Sequence, residues 1–122
     1  MGFQAVRGAT QVDVDEREHV LEATRELVSA VLKANELDDA HVISMLFSAT
    51  VDIRSVAPAF AARQLGLTEA ALLCVQEMAV DGSMPRVIRI LAHVDTELSR
   101  SEITNIYLRG TDTLRREPEV PL

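Results

Sequence analysis

Arg89 stands in "RVIRILAHV" (86–94) among Ile88, Ile90 and Leu91, where an uncompensated guanidinium would carry a large desolvation cost. It needs an anion, and two kinds are open: a neighbouring carboxylate or a bound anionic ligand. Glu77 in "LLCVQEM" (72–78) is the carboxylate candidate, expected on the adjacent strand across a "DGS" hairpin turn. Arg7, at the close of "FQAVR", supplies a second cation, and Tyr107, the single tyrosine, supplies a hydroxyl that an anionic ligand would accept.

Other chemistries find less support in the residue types. Cys74 would need a histidine base to act as a nucleophile and has none nearby in sequence, so it reads as a packed thiol on an apolar strand. His19, His41 and His93 lie too far apart for a ligand pattern, and no metal site is expected. "RGAT" and "VDGSMPR" hold too few glycines for a phosphate-binding loop, so no nucleotide cofactor is expected. A net charge of −7 and no clustered basic stripe argue against nucleic acid and against anionic membranes.

The elements that must position these residues follow from patterning. "FQAVRGAT" (3–10) reads as a strand. Asp13 and Asp15 are cap candidates for a helix whose apolar positions Val20, Ala23, Leu27, Val28, Val31, Leu32 and Ala34 recur at helical spacing, with Asn35 as its stop. "HVISMLFSAT" (41–50) is a buried strand by its density of bulky apolar residues. "APAFAARQLG" (57–66) is a short helix with Pro58 in its first turn and Gly66 at its end. "AALLCVQEM" (70–78) and 86–94 are the third and fourth strands, and 99–108 reads equally as helical turn or strand. On the fourth strand the period of two puts Val87, Arg89, Leu91 and His93 on one face and Ile88, Ile90, Ala92 and Val94 on the other.

The expected architecture is one α+β domain in the order β-α-β-α-β-β with a mixed sheet, spanning residues 1–115, and a loose, proline-punctuated tail at 116–122. Two helices leave part of such a sheet bare, which predicts an oligomer. No run approaches the roughly 18 apolar residues of a membrane span, no export signal opens the chain, and Cys74 has no internal disulfide partner. A cytoplasmic protein is expected.

A set of short motifs adds a resemblance: "VRGAT" (6–10), "SAT.D" (48–52), "CVQEM" (74–78), "IRI" (88–90), "IYL" (106–108) and "LR" (114–115). In order and spacing they resemble the small trimeric α/β class of monofunctional chorismate mutases, over nearly the whole chain. The resemblance implies a homotrimeric pseudo-barrel with active sites at subunit interfaces, rearranging chorismate to prephenate without a cofactor. It implies that Arg7 and Tyr107 bind a substrate carboxylate, that Arg89 faces the ether oxygen, and that Glu77 and Cys74, with Leu73 beside them, meet the ring hydroxyl region. Arg63, Leu114 and Arg115 would come from the neighbouring subunit. Ala57 and Phe60 depart from that family's usual residues, and the stretch from Arg63 to Cys74 is one residue shorter. A trimeric imine hydrolase or small-molecule binder of similar shape is the competing reading.

Overall fold

The computed structural model describes residues 2–116. Five strands, β1 (Gly2–Gln11), β2 (Val42–Ala49), β3 (Ala71–Gln76), β4 (Val87–Thr96) and β5 (Ile106–Tyr107), form one sheet in the order β3-β2-β4-β1-β5. β4 runs antiparallel to both β1 and β2, while β2/β3 and β1/β5 are parallel, so the sheet is mixed as expected. Helices α1 (Arg17–Ala34) and α2 (Ala59–Gln64) complete the domain with three 3-10 turns, at Asp39–His41, Arg100–Glu102 and Thr111–Arg116. The ambiguous stretch 99–108 is both things in turn, a 3-10 turn followed by β5, which makes a fifth strand beside the four expected. Arg116 closes the last 3-10 turn; the rest of the expected tail lies outside the described residues.

The hairpin between the third and fourth strands does not form. β2, α2 and β3 make a β-α-β crossover that lays β3 parallel to β2 at the sheet edge. β4 then pairs with the other side of β2, so β2 separates the strands carrying Glu77 and Arg89. The linking segment 77–86 is also far longer than the two-residue turn of a tight hairpin.

Both helices pack on one face of the sheet. There Val6, Leu27, Val28, Met45, Phe47 and Ile90 form the main core, each at most 3% exposed. Gly8 permits the close approach of α1: a Cβ there would lie 3.1 Å from both Leu27 Cδ1 and Ile90 Cγ1. Asn35 ends α1 as expected and also anchors the last segment, its side-chain amide donating to Val31 O and Thr104 O and accepting from Thr104 N.

The start of α1 differs from expectation. Its N-cap is Glu16, with no side-chain cap bond, while Asp15 instead accepts from the backbone N–H groups of Arg54 and Ser55 and so ties the helix start to the loop after β2. The Ser55 hydroxyl, helped by those two amides, holds the Asp15 carboxyl below its ordinary value against the opposing effect of burial.

Helix-free strands are bare on their second face. Phe3 (77% exposed), Leu73 (57%), Val75 (45%) and Leu91 (37%) all point there. On β4 the predicted alternation holds: Ile88, Ile90, Ala92 and Val94 are buried under the helices, and Arg89, Leu91 and His93 face the bare side.

Candidate active site

The bare face carries the site. Arg89 projects from the middle of β4 directly beside Ser48 of β2, its register partner. Ser48 is in turn the register partner of Val75 on β3, and the Glu77 N–H continues that ladder by donating to Ala49 O at 2.9 Å. Glu77 therefore stands just past the end of β3 and reaches Arg89 across β2. The Ser48 hydroxyl donates to Glu77 Oε1 at 2.5 Å, and Glu77 Oε2 lies 3.6 Å from Arg89 Nη1. That last distance is an ion pair and too long for a good hydrogen bond. Both side chains are about three-quarters covered, at 22% and 29% exposure, so the pair is shielded without being sealed from a ligand.

Around this trio lies a cleft of about 290 Å³, bounded by Arg7, Leu46, Val75, Leu91 and Tyr107. A second hollow of about 380 Å³ shares Glu77 and Arg89 and extends toward Met78, Val80, Met84 and Leu114, so the charged pair sits at the junction of the two. Arg7 is held by its own backbone, whose N–H donates to Asn105 Oδ1 at 2.8 Å. Tyr107 is 9% exposed, and among the described residues its hydroxyl has no hydrogen-bond partner. A buried hydroxyl left so costs about 1–3 kcal/mol, a cost that a ligand carboxylate in the cleft would remove. The Arg115 guanidinium lies 4.6 Å above the Tyr107 ring, a cation–π contact that closes this end. Among the described residues, two arginines and one carboxylate line the cleft, in a chain of net charge −7. Such a lining favours an anionic ligand.

Of the residues singled out in the sequence, Arg7, Glu77, Arg89 and Tyr107 come together here. Leu114 lines the adjoining hollow and Arg115 covers Tyr107, both from this same chain, whereas the resemblance assigned them to a neighbouring subunit. Leu73 lies on the bare face but outside both hollows, and Arg63 is exposed on α2, in the helical layer. Cys74 is the packed thiol its residue type suggested and not the pocket residue the resemblance implied: it points to the covered face, packs against the core and accepts from Ala59 N–H at 3.4 Å. It does not share a wall with Glu77. The period of two settles this, since positions 74 and 77 differ by an odd number and must face opposite ways. His93 is paired with Ser44, 3.0 Å from its hydroxyl. Among the described residues, no cluster of three or more His, Cys, Asp or Glu side chains could hold a metal ion.

Ser48, Leu46 and Val75 were missed by sequence reasoning. Alternation on β2 places Ser44, Leu46 and Ser48 on one face, but only knowledge that β2 lies between β3 and β4 makes Ser48 the residue beneath the Glu77–Arg89 pair.

A two-arginine, one-carboxylate cleft on the bare face of a small mixed sheet defines an α+β domain built to bind and polarise an anionic small molecule. Comparison with known proteins narrows that class. Residues 3–118 match the family model described as chorismate mutase type I, and the chain belongs to that family. It is 38% identical over 117 residues to chorismate mutase AroH of Thermus thermophilus, covering 95% of this chain and 96% of the relative. It is 35% identical over 116 residues to chorismate mutase AroH of Bacillus subtilis (strain 168), covering 94% and 91%. Among solved structures, a chorismate mutase from Clostridium thermocellum superposes with a TM-score of 0.89 at 34% identity, over 90% of this chain and 98% of that one. These matches favour the chorismate mutase reading over the imine-hydrolase alternative.

Proposed function

We propose that this chain is a chorismate mutase that rearranges chorismate to prephenate in the cleft on the bare face of its sheet. The observation that carries the proposal is the convergence of Arg7, Glu77, Arg89 and Tyr107 from four separate segments on one 290 Å³ cleft, in a chain of this family. The reaction breaks one ether C–O bond and forms one C–C bond within a single molecule, so the protein exchanges no proton or electron with the substrate. What it supplies is confinement of the compact reactive conformer and fixed positive charge where negative charge develops on the ether oxygen.

Arg89 takes the charge-stabilising role, because its guanidinium is fixed mid-strand and three-quarters shielded from water. Glu77 accepts the ring hydroxyl, and Arg7 with the Tyr107 hydroxyl takes a carboxylate, while Leu114 and Arg115 close the cleft over the bound ligand. The Cys74 segment contributes through its position between Leu73 and Val75 on the strand; its thiol faces away.

The protein works as a homotrimer. The bare face, with Phe3, Leu73, Val75 and Leu91 exposed, is the kind of apolar surface that association covers. In that assembly a neighbour's exposed Arg63 would supply a further cation to the open side of the cleft. Residues 1–115 act as one catalytic domain, and the site of action is the cytoplasm. No helix of the described residues is long and apolar enough to cross a membrane. The test is to incubate purified protein with chorismate, following chorismate loss and prephenate formation, and to weigh the particle by sedimentation equilibrium. Prephenate produced by a species of three chains supports both parts; no conversion overturns the activity, and a monomer overturns the trimer.

A further inference from the structure

Ser48 is a small polar residue, half-buried in a central strand, and its hydroxyl donates to one oxygen of Glu77 at 2.5 Å. A serine hydroxyl has a single proton to give, so this bond commits it. The carboxylate's other oxygen stands 3.6 Å from Arg89 Nη1, well beyond the roughly 2.8 Å of a charge-assisted hydrogen bond. An Arg–Glu pair left to itself in a shielded cleft closes to a tight, often bidentate contact, which would turn the guanidinium donors onto the protein's own acid.

Resting on the chorismate mutase reading above, we infer that Ser48 is a positioning residue that keeps this pair apart. By holding Glu77 Oε1 over β2, it leaves the Arg89 guanidinium directed into the cleft toward the ether oxygen, and leaves Glu77 a free lone pair for the ring hydroxyl. Both neighbours of Ser48 in the sheet favour this: Arg89 is its register partner on one side and Val75, two residues before Glu77, on the other. From Ser48 a short side chain touches the acid while lying beside the arginine. Ser48 makes no bond to substrate and acts wholly through Glu77.

The test measures kcat and KM for chorismate in wild type, Ser48→Ala, Ser48→Thr, Glu77→Gln and the Ser48→Ala/Glu77→Gln double variant, with thermal unfolding of each. A hydrogen bond to a charged group has a size that predicts a loss of roughly 10- to 100-fold in kcat/KM for Ser48→Ala. The loss should fall mainly on kcat, because the redirected Arg89 is missed most in the transition state. Ser48→Thr, which keeps the hydroxyl, should recover most of it. Because Ser48 works through Glu77, removing it in the Glu77→Gln background should cost less than about twofold. The inference is overturned if Ser48→Ala stays within about twofold of wild type, or if the two losses multiply in the double variant. Should Ser48→Ala fail to fold, Ser48→Cys, nearly isosteric and a poor donor, carries the same comparison. An inactive wild type would overturn the functional reading itself, and is visible in the first arm.

Discussion

The two faces of the same strands have opposite characters. Under the helices, β2, β3 and β4 present Met45, Phe47, Cys74, Ile88, Ile90 and Ala92, with no charge among them. One residue away along each strand, the bare face presents Ser48, Val75 and Arg89, with Glu77 completing the charged pair. The covered face holds the fold together through apolar burial, at about 25 cal/mol per Å² removed from water. The bare face carries charges that add little to stability, since desolvating an ion pair offsets most of its attraction. Function sits where the sheet can tolerate a cost that the other face has already met.

That contrast can be broken from either side. On the covered face, Phe47→Ala removes a fully buried ring and should destabilise the protein by about 3–5 kcal/mol in denaturant unfolding. Activity of the remaining folded fraction should be affected far less than its amount. On the bare face, Arg89→Lys keeps a charge but loses the planar fork, and should lower kcat/KM by about 10-fold or more with unchanged unfolding. Tyr107→Phe removes the buried hydroxyl that has no hydrogen-bond partner among the described residues. Stability should hold or rise by about 1 kcal/mol while KM for chorismate rises several-fold, a split that would fail if the hydroxyl were structural.

Smaller effects sharpen the comparison. Cys74→Ala, on the covered face, should leave turnover within about twofold of wild type and cost about 1 kcal/mol of stability; a large drop in turnover would return the thiol to the site. Asp15→Asn should cost a few tenths of a kcal/mol at neutral pH, since the carboxyl is only partly covered and solvent screens it. The folded carboxyl titrates below its ordinary value, so its contribution is present above that value and is lost as pH falls through the folded one. Wild type and Asp15→Asn should therefore converge in stability toward acid pH.

How far the sequence carried depends on which kind of information each residue needed. Period-two alternation was enough to put Arg89 and Ile90 on opposite faces, and α1 with its stop at Asn35 was legible from helical spacing and one polar residue. The same alternation, applied to positions 74 and 77, would have kept Cys74 out of the pocket. Strand order was not legible: nothing local says that β2 lies between β3 and β4, because that depends on the β-α-β crossover through α2. Glu77 was thus matched to Arg89 correctly but by the wrong route, and Ser48, which the true route makes central, was passed over. Asp15 looked like a helix cap because its type and spacing suit one. The loop after β2 offered two backbone N–H groups in its place, a tertiary contact that no window of sequence contains.

The most direct test of the account is the pair of numbers, chorismate turnover and unfolding temperature, measured for Arg89→Ala beside wild type. Arg89→Ala should lose at least about 100-fold in kcat with an unfolding temperature within about 5 °C of wild type, because Arg89 serves the reaction and the opposite face holds the fold. A variant that keeps most of its turnover, or one that loses activity only because it unfolds, would contradict it.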